Sequence, residues 1–303
     1  MKGSKSTVST LAEKCKNILA SNWHGNLNTI KADSKGSKQE IYSSRVKYLL
    51  RKGKPYIWVP VKDSHNVNTM IDERASFAVA RPYPGPLSNL LRSMKKLPAR
   101  IALTGEVYPL REEKVRSATE SLREMIMSEQ KEIIESSYAV SGILSSSTFG
   151  HTSRSENLVE LLDNEEDHAV YKFNVSSCMF IDGNGGNHEV DPDDFRTSKA
   201  DKLSPYAAKL IDGINQSEIR RRTLVVLCIS LLNVNAKDAY ILSVDRKGFD
   251  VLAKLLTSEG EYQWKETRFT FEDEAQNVEL FCSQLVKMEE AALDKVKSCS
   301  GLG

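Results

Sequence analysis

Groups that could carry chemistry are concentrated in one short segment, residues 65–87, which reads HNVNTMIDERASFAVARPYPGPL. Its imidazole, His65, could bind a ligand because histidine titrates near neutral pH, whereas beside Asn66 it could equally cap a helix or stabilise a turn. The rest of the segment predicts a short helical turn, one strand and a rigid loop. The final PYPGPL either recognises a ligand or simply connects two elements.

A second group is the arginine run at residues 220–222, which either meets an anionic partner or forms the solvated start of a helix. Nearby, Glu218 could act as a base, but an ordinary pKa of about 4.3 makes it a poor one without burial. The motifs G-x-S-x-G and H-E-x-x-H, a P-loop and paired cysteine ligands do not occur. The glycine-rich DGNGGN at 182–187 is predicted to be a turn, because a phosphate loop requires a helix directly after it. The sequence thus assigns no catalytic residue and predicts no metal site.

Composition narrows the class of partner and compartment. The 303 residues are 40% hydrophobic and 27% charged with a formal net charge of +1, which predicts no nucleic-acid partner. The longest apolar run, LVVLCI at 224–229, is far shorter than the roughly 20 residues that span a bilayer. Five cysteines without C-x-x-C spacing predict an intracellular, reducing compartment. The basic, Ser/Thr-rich N-terminal segment does not have the pattern of a secretory signal. We expect it to be either the remnant of a trimmed transit peptide or a disordered terminus.

The elements that must position these residues form two lobes. Six stretches of the first lobe have strand character and glycine-containing turns, with a hairpin meander predicted for the first three. They are residues 27–33, 40–50, 55–61, 75–82, 99–110 and 169–183. Gly105 predicts a bulge or a close backbone approach. Helical periodicity marks residues 7–21 and 112–136, with one helical turn at 158–162. Few helices separate the strands, which favours a barrel or sandwich.

The second lobe has a different order of elements. Helices are predicted at 206–215 and 218–232, followed by three strands and a closing helix from about residue 278. The first two strands turn at Arg246-Lys247-Gly248. We predict domains at 1–190 and 191–303. The fold class is α+β, an antiparallel split β-barrel with flanking helices plus a smaller C-terminal α/β domain.

Four stretches carry a resemblance to a known family: SSRVKYLLRKGKPYIWV, HNVNTMIDERASFAVA, LPARIALTGEVYPL, and SVDRKGFDVLAK followed by TRFTF. They span most of residues 40–110 and 170–290. The chain resembles the FMN-binding split-barrel superfamily, in the heme-utilisation and heme-oxygenase-like branch with an appended C-terminal α/β domain. Relatives in that branch include the plastid protein that binds glutamyl-tRNA reductase.

The resemblance implies a set of cofactor-binding residues. In split barrels an early-strand arginine holds the flavin phosphate, because a guanidinium matches two phosphate oxygens. Arg45 occupies that position, although a strand arginine can also pair with a neighbouring acid. The other implied cofactor-binding residues are Ser43, Ser44, Lys62, Ser64 and His65. Flavin-dependent relatives carry Ser-Arg-Lys where this chain has Asp63-Ser64-His65, so one cation is lost and an acid gained.

The C-terminal domain also departs from the family pattern. The relatives' signature His-Met-Asn-x-Asp-His reads GINQSE at 213–218, which keeps Asn215 and loses both histidines. No histidine follows His188, so the tail ligand of the heme-degrading relatives is missing.

Two functions follow as alternatives. The first is a non-catalytic or weakly ligand-binding member of a tetrapyrrole- and flavin-related family, which regulates or binds a partner. The second is an FMN-dependent oxidoreductase or a heme-degrading enzyme with a cleft at the barrel dimer interface. The implied cofactors are FMN or heme. The implied partners are a second copy of the chain and a protein docked on the C-terminal domain, and the resemblance suggests a plastid.

Overall fold

The computed structural model of the chain describes residues 9–32, 40–83, 85–134, 154–163 and 168–300. Its first lobe is built on antiparallel strands that match the six predicted stretches and add a short seventh. Their bounds are β1 His24–Ile30, β2 Ile41–Arg51, β3 Lys54–Pro60, β4 Arg74–Ala80, β5 Arg100–Pro109, β6 His168–Ile181 and β7 Asn187–Val190. The glycine-rich DGNGGN is the turn between β6 and β7, as predicted.

Six of these strands close into a barrel. The sheet order is β3-β2-β1-β4-β5-β6-β7, and β3 also pairs with β6. The predicted meander therefore covers only the first three strands, because β4 returns to pair with β1. Every second side chain points inward, and Leu27, Tyr48, Phe77 and Phe173 fill the interior without exposure to solvent.

The predicted bulge at Gly105 is confirmed. The register between β5 and β6 shifts between Thr104 and Gly105. A Cβ atom on Gly105 would lie 1.9 Å from the carbonyl oxygen of Asn174, so only glycine fits there without moving the backbone. A bulge bends its strand locally, so β5 can follow the curvature of the barrel.

Helices cover the barrel. Their bounds are α1 Leu11–Ala20, α2 His65–Ile71, α3 Gly85–Ser93, α4 Glu112–Ile134 and α5 Arg154–Asp163. Thr10 and Glu13 form a capping box that starts α1. The apolar sides of α4 and α5, with Leu122 and Leu158, pack on the outer barrel residues Leu49 and Trp58. The helical turn predicted at 158–162 is thus part of a longer helix.

The second lobe has the predicted order of elements. Its bounds are α6 Pro192–Thr197, a 3-10 turn Ser204–Tyr206, α7 Ala207–Gln216, α8 Glu218–Leu232, β8 Ala236–Asp245, β9 Gly248–Leu256, β10 Tyr262–Thr270 and α9 Val278–Ser300. The three strands form a separate antiparallel sheet, in the order β10-β9-β8. Its core contains Leu210, Leu227, Phe249 and Phe281. Within the described ranges, no helix has both the length and the apolar character that crossing a bilayer requires.

The PYPGPL segment differs from the expected rigid loop, because α3 begins inside it at Gly85. Gly85 has a φ of 57°, a conformation that glycine adopts without steric cost. Leu87 and Leu91 of this helix pack into the core of the second lobe, whereas Phe195 of α6 packs into the barrel core. A helix that precedes residue 190 therefore packs into the second lobe, and a helix that follows it packs into the first. The domain boundary at residue 190 remains a prediction.

Candidate functional site

The outer side of the barrel carries a row of small polar side chains that crosses five strands. Strand pairing aligns Asn28 with Ser43 on one side and with Ser76 on the other, and continues through Thr104 to Ser177. We call these five residues the polar row. Asn28 Nδ2 donates to Ser76 Oγ at 3.0 Å, and the hydroxyl oxygens of Thr104 and Ser177 lie 2.5 Å apart. These short side chains can donate and accept hydrogen bonds towards a ligand lying on the sheet.

A second row lies beside the polar row on the same side of the sheet. Its aligned residues are Arg45, Asn26, Ala78, Ala102 and Met179. The two alanines keep the middle of this surface flat, so a planar molecule or a second sheet could approach closely. We call the two rows together the outer face, on which Arg45 is the only residue with a cationic side chain.

Arg45 is held in place by two neighbours that precede and start β1. Its Nη2 atom donates to His24 Nε2 at 2.5 Å, and its guanidinium lies 5.5 Å from the centroid of the Trp23 ring. A cation over an indole face is stabilised by the ring quadrupole. In the described part of the chain no carboxylate pairs with Arg45, so its charge remains available for an anion.

His24 supports this arrangement as a neutral base. Burial and then the adjacent Arg45 charge lower the pKa of His24 to about 4. Since Nε2 accepts from Arg45, the ring proton belongs on Nδ1, which is buried and has no hydrogen-bond partner among the described residues. The imidazole therefore orients the guanidinium without adding a competing positive charge at neutral pH.

The six predicted cofactor-binding residues do not lie together. Ser43 and Arg45 are on the outer face, whereas Ser44 points to the opposite side of β2. The Ser44 hydroxyl contacts His65 Nε2 at 3.0 Å, and His65 Nδ1 lies 2.8 Å from Thr29 Oγ1. His65 is fully buried, and burial lowers its pKa against the opposing effect of the Asp63 charge. This imidazole joins α2 to the barrel.

The two remaining predicted residues lie outside both groups. Lys62 is exposed in the turn between β3 and α2. Ser64 directly precedes α2 and makes no side-chain capping bond to it. The implied role of all six residues in cofactor binding remains a prediction. Of the six, Arg45 and Ser43 lie together on the outer face.

Sequence reasoning missed Trp23, His24 and every member of the polar row except Ser43. The signal was present in the outward positions of three strands, which are Asn, Ser, Ala or Thr instead of large apolar or charged residues. In Asn26 and Asn28, Ser76 and Ala78, and Ala102 and Thr104, small side chains recur at period two. Their alignment into continuous rows depends on pairing register, which the sequence does not state.

The arginine run of the second lobe is engaged in ion pairs. Arg220 lies 3.8 Å from Glu289, Arg221 lies 3.7 Å from Asp238, and Arg222 lies 2.6 Å from Glu218. The Glu218 carboxylate is thus a surface partner of Arg222. Within the described ranges no group of three or more histidine, cysteine, aspartate or glutamate side chains is placed to hold a metal ion.

Comparison with known proteins gives a fold match but no sequence-family match. No protein-family model and no curated protein matches the chain. A heme-binding protein from Mycobacterium smegmatis is 20% identical, with a TM-score of 0.59 over 95% of this chain and 99% of that chain. A pyridoxine-phosphate oxidase family protein from Clostridium acetobutylicum is 11% identical, with a TM-score of 0.37 over 61% and 96% of the respective chains. An FAD-binding protein from Mesorhizobium loti is 12% identical, with a TM-score of 0.33 over 61% and 96%.

The mycobacterial match extends over both lobes of the chain. Together with the closed six-strand barrel and the separate three-strand sheet, it confirms the predicted fold. The fold is an antiparallel split β-barrel with flanking helices, together with a smaller C-terminal lobe of helices around a three-strand sheet.

Proposed function

We propose that this split-barrel protein binds a planar, anionic cofactor, FMN or heme, on the outer face of its barrel, and that it serves as a binding or regulatory protein. The proposal rests on the surroundings of the Arg45 side chain. Its guanidinium is oriented by Trp23 and His24, has no acidic partner in the described chain, and lies beside the polar row. A bidentate guanidinium contact suits both the phosphate of FMN and the propionates of heme.

The flat centre of the outer face supports a planar ligand. Ala78 and Ala102 leave room above the sheet, while Ser43 and Asn28 can hydrogen-bond to the edge of a ring system. Among the structural neighbours, one is a heme-binding protein and another is an FAD-binding protein. The heme-binding neighbour, with a TM-score of 0.59, is consistent with a heme-type ligand here.

We also propose that two barrels pair, so that the second copy covers the bound cofactor. Helix α2 buries His65, Asn68 and Thr69, but leaves Val67, Met70 and Ile71 exposed at 57%, 84% and 71%. Their i, i+3, i+4 spacing makes one apolar helix face. Ile41, exposed at 68%, lies on the same side of β2 as Ser43 and so places a separate exposed apolar side chain on the side of the outer face. Exposed apolar clusters of this kind mark association surfaces.

The absence of an evident acid or base on the outer face favours binding over catalysis. The neutral His24 already accepts a hydrogen bond from Arg45, and the polar row holds only hydroxyl and amide groups, which are poor acids and bases at neutral pH. A partner docked on the second lobe would give such a protein a regulatory output.

The proposal is tested by titrating the purified protein with FMN and, separately, with heme, and following the absorption band of each. We expect saturable binding of one of them, weakened roughly tenfold to a hundredfold by Arg45→Ala. Arg92→Ala, which removes an exposed cation from α3, is the matched control and should bind as the parent does. Equal affinity of the parent and Arg45→Ala for both cofactors would contradict the proposal. Reduction of bound FMN by NADPH, or breakdown of bound heme, would favour the enzyme alternative.

A further inference from the structure

A cleft of about 490 Å³ lies between the two lobes, away from the outer face. The first lobe contributes α1, the segment after β4 and the end of β6. The second lobe contributes α7 and one side of the three-strand sheet. The volume falls within the range of small-molecule sites, which is roughly 300 to 1,000 Å³.

Part of the cleft lining is apolar, and we call this part its floor. It is lined by Leu97, Ala99 and Phe180 from the first lobe and by Ile211, Leu242 and Val244 from the second. Since water gains little from contact with such a surface, an apolar ligand body that displaces it is stabilised by burial.

The charges on the walls are unequally paired. The acidic groups have partners: Glu266 pairs with Lys96 at 3.0 Å, and Asp245 with Arg268 at 2.6 Å. Asp250 also contacts Arg268, at 3.4 Å, and Asp182 accepts from His188 at 3.0 Å.

Two cationic side chains on the cleft walls have no acidic partner within the described ranges. Lys14 of α1 and Arg81, which follows β4, are both half-buried. Within the described ranges neither side chain makes a hydrogen bond or an ion pair. The lining holds four cationic and four acidic side chains and so has no net charge, but Lys14 and Arg81 are the two cations on it that no acid engages within the described ranges.

We propose that the interlobe cleft binds a small amphipathic anion, with an apolar body on the floor and one carboxylate, sulfonate or phosphate head held by Lys14 and Arg81. The site is independent of the outer face, because none of its lining residues belongs to the two rows described above. A ligand that contacts both lobes would also hold them in one arrangement, and so raise the thermal stability of the chain by binding only the folded state.

The test uses two fluorescent probes of the same aromatic body on the full-length protein. The anionic probe is 8-anilinonaphthalene-1-sulfonate, and the neutral one is N-phenyl-1-naphthylamine, which lacks the sulfonate. We expect Lys14→Ala and Arg81→Ala each to weaken the sulfonate probe by about tenfold. The same substitutions should leave the neutral probe unchanged. Competition by decanoate, decyl phosphate and decanol then identifies the preferred head group, with decanol the weakest.

Three further variants locate the probe. Ala208→Trp, which fills the cleft from α7, should abolish binding of both probes, and its thermal midpoint reports whether it folds. Arg92→Glu on α3 should leave the sulfonate probe unaffected, and the Lys14 and Arg81 substitutions are repeated in an Arg45→Ala background so that probe bound at the outer face does not contribute. The inference is overturned if the Lys14→Ala/Arg81→Ala double variant binds the sulfonate probe as the parent does. It is also overturned if Arg92→Glu weakens that probe equally, or if a folded Ala208→Trp still binds it.

Discussion

The side-chain amide of Asn215 makes two hydrogen bonds to the backbone of Ile241. Asn215 Nδ2 donates to the Ile241 carbonyl oxygen at 2.9 Å, and Asn215 Oδ1 accepts from the Ile241 amide nitrogen at 2.8 Å. Both groups are buried, and the pair fastens α7 to β8 inside the second lobe. The asparagine that this chain retains within GINQSE thus has a structural role.

Asn215→Leu should destabilise the second lobe strongly. The substitution leaves a buried N–H and a buried C=O without partners, and each unsatisfied group costs about 1 to 3 kcal/mol. Urea unfolding followed by circular dichroism measures the loss. The exposed Asn235 in the same lobe is the control, since Asn235→Leu should change the free energy of unfolding by less than about 0.5 kcal/mol. Similar values for both variants would contradict the assigned role.

The buried pair between Arg154 and Glu129, 2.7 Å apart, should show a pH-dependent mutant phenotype. Burial raises the pKa of Glu129 in spite of the Arg154 charge. Without Arg154 that pKa rises further, so the folded state binds a proton that the unfolded state releases and stability falls as pH rises. We expect Arg154→Met to lose about 3 to 5 kcal/mol at neutral pH and to recover part of it near pH 5.

The double variant Arg154→Met/Glu129→Gln is the control for that experiment. It removes both charges, so its unfolding free energy should lie above that of Arg154→Met and lack the recovery at low pH. A deficit in Arg154→Met that is independent of pH would show that Glu129 is not the titrating group.

His24 should titrate well below the ordinary value for a histidine. Its pKa of about 4 lies below the ordinary value, so between about pH 4 and about 6.5 the unfolded chain binds more protons at this site. The stability that His24 contributes is therefore present above about pH 6.5 and is lost as pH falls towards 4. Proton NMR of the imidazole should show the low pKa, and Arg45→Met should raise it by removing the adjacent charge. An ordinary His24 titration that Arg45→Met leaves unchanged would contradict the contact.

The proposed pairing of barrels predicts a concentration-dependent mass. Light scattering of the parent at micromolar concentration should give twice the 33.9 kDa of one chain. Met70→Glu, which places a charge on the exposed face of α2, should shift the equilibrium to the single chain. Ile219→Glu is the matched control, because Ile219 is exposed at 78% but belongs to the second lobe. A 33.9 kDa species in the parent would exclude the pairing.

The sequence by itself determined the elements and their order. Strand-type composition between glycine-containing turns predicted the six barrel strands, and the change between helical and strand patterns predicted the helix, helix, three strands and helix of the second lobe, because these patterns reflect local backbone geometry. Gly105 marked its bulge for the same reason, since a close backbone approach excludes a side chain.

Only the tertiary structure decided which residues meet. The pairing of β3 with β6 brings together strands more than a hundred residues apart, and the polar row exists only through the register of five strands. His65 became a buried link between α2 and β1, and α3 packed into the second lobe although its sequence follows β4. The interlobe cleft likewise joins Lys14 and Arg81 to a floor built partly by Ile211 and Leu242. Such contacts depend on long-range packing, which no local pattern of polarity or conformation encodes.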